Sequence, residues 1–227
     1  MIRRGKSGRG FGQRFGIYGP KTRKRLQAYE GGLWIHAVSV GEVNLAALLI
    51  KETQQRQPQL PIVLSVTTPT GQAVALKQIP KEVVIIYNPL DFLWSVKNFF
   101  RLLQPRLLIL VESEIWPNYF WEAKRRKVPI VIVNARLSKK TEARYHKWAW
   151  FCQPLLQQLE VVCVQCEEDK ERFIQLGVDP RRIQVTGSMK YDVSRAEIKN
   201  SEEIKSILYQ AGWSEGEPIF LAGSTCG

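Results

Sequence analysis

Residues 33–49 read LWIHAVSVGEVNLAALL. Residues 33–40 are an apolar, β-branched run of strand length, Gly41 breaks it, and from Val43 onward the apolar residues recur at helical spacing. A strand feeding a helix through a tight turn opens a βαβ unit. Glu42 falls where that helix begins, facing free backbone N–H groups and the positive end of the helix dipole, which favour its ionised form. It also falls at the carboxyl end of a strand, where open α/β sheets take their ligands. The position suits a general base, and it equally suits an acid that only stabilises its own helix.

Working outward, the pattern repeats. Apolar runs predict strands over 60–66, 83–87, 107–111, 130–133, 161–164 and 183–186. Between them lie helical stretches: one ending near Gln78, then 92–103, 117–126 and 139–158, and a short one from Glu167 that Gly177 ends. Pro117 suits the first turn of its helix, and Pro154 is expected to bend or break the 139–158 stretch. Seven apolar strands alternating with helices predict an α/β fold, a doubly wound, Rossmann-like parallel sheet covered on both faces. Beyond it, 191–216 is polar and charged, and 218–222 (PIFLA) starts a fresh buried strand. The expected division is a flexible basic arm (1–25), a Rossmann-like domain (26–192), a helical linker (193–216) and the first strand of an incomplete second domain (217–227).

The net charge is +12, and residues 1–25 carry nine Lys or Arg and no acid. The positive charge therefore belongs mainly to the arm, which could seek anionic lipid, nucleic acid or a phosphorylated substrate. With 44% hydrophobic and 10% aromatic residues the chain can bury a core, and no apolar run approaches the ~20 residues that span a bilayer. Cys163 and Cys166 have C-x-x-C spacing inside a run that reads as a strand, where alternation sends them to opposite faces. With no second Cys pair and only His36 and His146, a zinc site is not expected, and the thiols read as reduced and structural.

The polar residues just past each strand gather on one edge of such a sheet. They include Gly41 and Glu42; Thr67, Thr68, Thr70 and Gly71; Asp91; Glu112 and Glu114; Asn134, Arg136 and Ser138; and Lys190. This fits a cleft for a polyhydroxylated or anionic ligand, although loops and helix starts are polar in any case. No G-x-G-x-x-G follows a strand, no P-loop is present, and no G-x-S-x-G elbow exists, which argues against dinucleotide oxidoreductases, P-loop NTPases and serine hydrolases. Glu112-Ser113-Glu114 followed by Ile-Trp-Pro-Asn is unusual, because paired carboxylates at a strand end are costly unless they bind or orient something.

Several blocks, taken together, resemble the 3-deoxy-D-manno-octulosonic acid (Kdo) transferases. They are His36-Ala37-Val38-Ser39-Val40-Gly41-Glu42-Val43, the 67–71 loop, Pro89-Leu90-Asp91, Glu112-Ser113-Glu114-Ile115-Trp116-Pro117-Asn118, Asn134-Ala135-Arg136-Leu137-Ser138 and Ala222-Gly223-Ser224-Thr225. The resemblance implies the acceptor-binding N-terminal half of a two-domain GT-B glycosyltransferase, cut at the start of its second domain. Such an enzyme moves Kdo from CMP-Kdo to lipid A precursor with inversion, in lipopolysaccharide synthesis, without a metal or other cofactor. It implies Glu42 as catalytic base and Glu112 as a second acid that orients and polarises. Ser39, Gly41, the 67–71 loop, Asp91, Glu114, Asn134, Arg136, Ser138, Lys190 and the Gly223-Ser224-Thr225 turn then become substrate-binding candidates. It also implies a peripheral place on the cytoplasmic face of the bacterial inner membrane, on anionic lipid.

Two other readings stay open. One is a non-catalytic remnant that still recognises anionic glycolipid. The other is a nucleic-acid binder using the basic arm, for which no recognised motif appears. The aromatics of 145–151, YHKWAWF, read either as a membrane-interface stretch or as residues packing on the sheet.

Overall fold

The computed structural model describes residues 10–192, 201–210 and 212–215. Seven strands, β1 (Leu33–Ala37), β2 (Ile62–Val66), β3 (Val84–Tyr87), β4 (Leu107–Val111), β5 (Ile130–Ala135), β6 (Leu159–Val164) and β7 (Ile183–Val185), form one sheet in the order β3-β2-β1-β4-β5-β6-β7. Every pairing is parallel, so each strand needs a crossover. Helices supply them: α3 (Val40–Arg56), α4 (Pro69–Gln78), α5 (Leu93–Leu103), α6 (Pro117–Arg126), α7 (Lys139–Lys147) with α8 (Ala149–Leu156), and α9 (Glu167–Gln175). This is the doubly wound α/β sheet that the sequence predicts. The order reverses between β1 and β4, where crossovers diverge to opposite sides and leave a crevice at the carboxyl ends.

The centre is apolar because the central strands have two covered faces. All five residues of β1 and of β2 are buried. Trp34 anchors one face, meeting Phe99 and Phe100 edge-on at 4.6 and 5.3 Å and Tyr119 at 4.8 Å. Val96, Phe99, Phe100 and Leu103 are buried at helical spacing, so α5 presents one stripe to the sheet. The Trp34 indole N–H donates to the Ser65 hydroxyl at 2.7 Å, and His36 Nδ1 lies 2.8 Å from the same oxygen. His36 is fully enclosed, with Trp116 and Tyr119 edge-on to its ring, and burial holds its pKa down to about 4.

The expectation of a flexible arm over 1–25 is corrected for its second half. Residues 11–14 and 20–28 are helices, α1 (Phe11–Arg14) and α2 (Pro20–Ala28), docked on the β3 side of the sheet. Gln13 accepts the Tyr87 N–H at 2.9 Å, the Arg14 guanidinium lies over the Tyr87 ring, and Asn98 donates to the Gly16 carbonyl. Gly10, at φ 90°, allows this approach, since a Cβ there would meet the Tyr87 ring at 1.9 Å. Composition marked the segment as basic, but it could not show that the Gln13 side chain pairs with β3 and that the Arg14 and Gly16 carbonyls pair with α5.

The 139–158 helix is broken at Trp148, not at Pro154. Trp148 ends α7 and begins α8, while Pro154 is accommodated inside α8. Cys166 stands outside β6, as the residue preceding α9, with its Sγ 3.3 Å from Asp169. The described residues fall into two compact units that divide between Met189 and Lys190. In the second, helix α10 (Ser201–Gln210) is described, and the expected strand over 218–222 lies outside the described residues. Among the described residues no helix is long and apolar enough to cross a membrane.

The buried His36 predicts a pH signature. Its folded pKa lies below the ordinary 6.5, so the unfolded chain binds the extra proton and stability is lost as pH falls from 6.5 towards 4. Urea unfolding of wild type and His36→Gln across this range checks it. Wild type should lose up to about 1.4 kcal/mol per pH unit relative to the variant. Parallel pH profiles would refute the assignment.

Candidate active site

The crevice at the reversal point is built first by the chain leaving β1. Two residues after the strand, Ser39 caps α3, its hydroxyl accepting the Glu42 N–H at 3.3 Å. Glu42 Oε2 reaches back to accept the Val38 N–H at 2.7 Å. Helix α3 therefore starts at Val40, three residues before the sequence reading placed it, and Gly41 lies in its first turn. The S-x-x-E spacing of Ser39 and Glu42 is the local signal for this cap. The result is a carboxylate aimed by backbone on two sides and only 5% exposed. Burial raises its pKa; the Val38 and Ser39 hydrogen bonds oppose this, and the nearby charges of Glu112 and Glu114 add to it. Both readings of Glu42 thus describe the same atom set: it stabilises its helix and is a more basic carboxylate than usual.

Across the reversal point, β4 delivers the second carboxylate pair. Glu112 has φ 62°, left-handed backbone that few non-glycine residues adopt, and its N–H donates to the Val133 carbonyl at 2.9 Å. This twist ends the strand. Burial and the Glu112 charge raise the pKa of Glu114, and Arg144 opposes them. Three carboxylates from two neighbouring strand ends thus share one crevice.

Beside them opens a cavity of about 800 Å³ between the β4 and β5 ends and the α7–α8 turn. Glu112, Glu114, Arg136 and Ser138 line it, as do Arg144 and Tyr145. Trp148, Trp150 and Phe151 line it as well. The Arg136 loop is held from both sides. Ser113 exchanges hydrogen bonds with the Arg136 backbone at 2.7 and 3.0 Å, and the buried Asp169 accepts the Leu137 N–H at 3.0 Å. Ser138 caps α7 by accepting the Thr141 N–H at 3.2 Å.

Other candidates are placed elsewhere. Thr68 caps α4, accepting the Gly71 N–H at 3.0 Å, and a Cβ at Gly71 would meet that hydroxyl at 2.9 Å. These residues, with Thr70 hydrogen-bonded to Thr68, build a helix start and do not line the cavity. The Thr67 hydroxyl is buried without a partner among the described residues, and Arg14 donates to the Thr67 carbonyl. Asp91 accepts the Asn118 N–H at 3.0 Å and so fixes the first turn of α6. Asn134, expected at the substrate, lies beneath the edge. It is fully buried at φ 55°, and its Oδ1 accepts the Met189 N–H at 3.0 Å, which ties down the chain leaving β7. Lys190 opens the second unit, and Gly223, Ser224 and Thr225 lie outside the described residues.

Arg144 and Tyr145 were missed as cavity residues, as was the supporting pair Asp169 and Arg172. Arg172 donates to the Leu137 carbonyl at 2.5 Å. Nothing local in the sequence marks them, because the turn at Trp148 is what swings α7 over the β4 and β5 ends. The aromatic stretch divides between its two readings: Phe151 packs partly on the core, whereas Trp148 and Trp150 are 49% and 73% exposed.

Residues 9–193 match the family model described as 3-deoxy-D-manno-octulosonic-acid transferase (kdotransferase). A 3-deoxy-D-manno-octulosonic acid transferase of Haemophilus influenzae is 34% identical over 214 residues, 94% of this chain and 48% of that protein. A bifunctional glycosyltransferase/methyltransferase of Fusobacterium nucleatum is 33% identical over 85% of this chain and 30% of its own length. The chain spans about half the length of the Haemophilus relative. Among solved structures, UDP-GlcNAc 2-epimerases of Neisseria meningitidis and Methanocaldococcus jannaschii superpose with TM-scores of 0.56 and 0.57. At 14% and 13% identity, with 79% of this chain on about half of theirs, they share the fold of one half of a GT-B type protein.

Gly41 gives the site a separate test. A Cβ there would meet only the Ser39 hydroxyl at 3.8 Å, so the fold leaves room for a side chain beside Glu42. Gly41→Ala should raise stability by up to about 1 kcal/mol, because glycine is the poorer helix residue. Thermal unfolding measures this, and a destabilised variant would show that the helix start does need glycine.

Proposed function

The chain belongs to the 3-deoxy-D-manno-octulosonic acid transferase family, and from that premise we propose that it is the acceptor-binding half of an inverting glycosyltransferase. Its acceptor is lipid A precursor and its donor CMP-Kdo, the donor being held mainly by a second domain that the 193–227 stretch leads into. The observation that carries this reading is the place of Glu42, buried at the strand-order reversal with its carboxylate fixed by Val38 and within electrostatic reach of Glu112 and Glu114.

In this reading Glu42 takes the proton from an acceptor hydroxyl as that oxygen bonds to the anomeric carbon of Kdo. The bond to CMP breaks on the opposite face, and CMP leaves with the electron pair, so one displacement inverts the centre. A buried base with a raised pKa drives that proton transfer better than an ordinary carboxylate. Glu112 and Glu114 raise the basicity of Glu42 through their charge, and Arg136 and Arg144 bind polar groups of the acceptor.

A place on the anionic inner-membrane surface follows from the same reading. Phe11, Ile17, Phe92, Leu93 and Trp94 are exposed at 62, 63, 51, 49 and 52%, and Phe15 stacks with both Phe92 and Trp94. The sequence just before this patch carries Arg3, Arg4, Lys6 and Arg9 and no acid. Aromatics beside basic residues suit a lipid interface, where each basic residue contributes about 1 kcal/mol at most.

Two outcomes test the proposal. In a protein that includes the donor half, Glu42→Gln should lower turnover by roughly 10²–10⁴. In the same assay Glu114→Gln should move the acidic limb of the rate profile to lower pH, since removing a neighbouring negative charge favours ionised Glu42. Near-normal turnover of Glu42→Gln would overturn its role. Sedimentation with anionic vesicles should show binding that salt weakens. It should fall on deletion of residues 1–9 and on Trp94→Ala, and equal binding to neutral vesicles would count against the electrostatic part.

A further inference from the structure

His36 is a buried titratable group that the proposed reaction does not use, and its neighbours say where its ring proton sits. The Ser65 hydroxyl accepts the Trp34 indole N–H at 2.7 Å, so its own proton needs an acceptor. Two are within reach, His36 Nδ1 at 2.8 Å and the Ile35 carbonyl at 3.5 Å, and the shorter makes the better hydrogen bond. Nδ1 then accepts, and the ring proton belongs on Nε2. That nitrogen is buried without a hydrogen-bond partner among the described residues, as is the Trp116 indole nitrogen. Its surroundings are aromatic, with Trp116 at 5.6 Å and 82° and Tyr119 at 5.8 Å and 69°. An N–H edge suits aromatic faces, whereas a bare lone pair is repelled by them. Tyr119, the titratable group packed against the ring, is kept neutral by burial.

Trp116 connects that ring to the carboxylates. The turn over 113–118 is hydrogen-bonded at its two ends, Ser113 to the Arg136 backbone and Asn118 to Asp91, and Glu114 lies between them. Trp116 precedes α6 without a side-chain cap, so packing fixes it: it stacks on Tyr119 at 5.7 Å and 24° and meets His36 edge-on. We propose that His36, as its Nε2–H tautomer, is a positioning residue that seats Trp116 and thereby sets where Glu114 stands relative to Glu42. The line of contact is short, from Ser65 on β2 through His36 on β1 to the turn that follows β4. Glu42 feels the charges of Glu112 and Glu114, and Glu114 those of Glu112 and Arg144. Released from its seat, the Glu114 carboxylate relaxes away from the like charges. The inference rests on the proposed reaction only for the role of Glu42, and the seating of Trp116 stands on the packing.

The chain has two histidines, so isotope labelling of histidine nitrogens gives separable ring signals in the 227-residue protein. His36 should carry its proton on Nε2 and leave Nδ1 bare, with little change down to about pH 5. A proton on Nδ1 overturns the proposal, and so does titration near the ordinary 6.5. In the same chain His36→Asn keeps an amide towards Ser65 and withdraws the ring from Trp116. The Trp116 indole N–H signal, identified by its loss in Trp116→Phe, should then shift while that of Trp94 stays; an unmoved Trp116 signal overturns the seating. In a protein that includes the donor half, His36→Asn should lower kcat about tenfold and change the acceptor KM less. It should also move the acidic limb of the rate profile to lower pH, as expected of Glu114→Gln, and the double variant should move it no further. Lost activity with an unmoved limb, or limb shifts that add, overturns the positioning role. Ring and indole signals as stated, alongside transfer indifferent to Glu42→Gln, keep the seating of Trp116 and remove the reading of Glu42 as base.

Discussion

How the chain leaves β1 sets the rest of the carboxyl edge. Two hydrogen bonds, Ser39 to the Glu42 N–H and Glu42 to the Val38 N–H, start α3 two residues after the strand and hold a carboxylate where backbone N–H groups converge. The Ser39 hydroxyl satisfies one first-turn N–H, while the acid satisfies the Val38 N–H just before the cap and faces the positive end of the helix dipole. Any ligand at the reversal point meets the same acid. In the proposed reading the structural and chemical roles fall on one side chain, so a substitution at Glu42 acts on both.

The crevice holds more negative charge than a buried site tolerates without cause. Glu42 and Glu114 both have pKa values raised by burial first and by neighbouring carboxylates after it. Backbone conformation adds to the cost: Glu112 and Asn134, at the ends of adjacent strands, are both left-handed. Conformations of this kind persist where surrounding bonds over-determine them. Here those bonds are the Glu112 N–H to Val133, the Gln165 amide to the Asn134 carbonyl and the Met189 N–H to Asn134. The sheet supplies the rigidity that keeps like charges together.

Flanking that centre are two exposed aromatic groups with different settings. One, around Phe15, Phe92 and Trp94, follows a basic stretch of sequence. The other, around Trp148, Trp150 and Phe151, lines a cavity shared with Glu112, Glu114, Arg136 and Arg144. A surface and a pocket call for different occupants even when both are apolar.

The sequence by itself determined the sheet, its parallel character and the edge that carries the candidate site, because apolar runs of strand length alternating with helices admit few other packings. It also marked Glu42, Glu112, Glu114, Arg136 and Ser138, which lie at strand ends where register leaves little freedom. Tertiary structure decided what those residues meet. It spent Thr68, Asp91 and Asn134 on helix caps and on the chain after β7, and docked residues 10–28 that composition marked only as basic. By turning at Trp148 it brought Arg144 and Tyr145 from a helix with no local signal onto the carboxylates. The division has one physical reason: periodicity records which face of an element is buried, whereas a polar side chain's partner is set by whatever backbone the fold brings within about 3 Å.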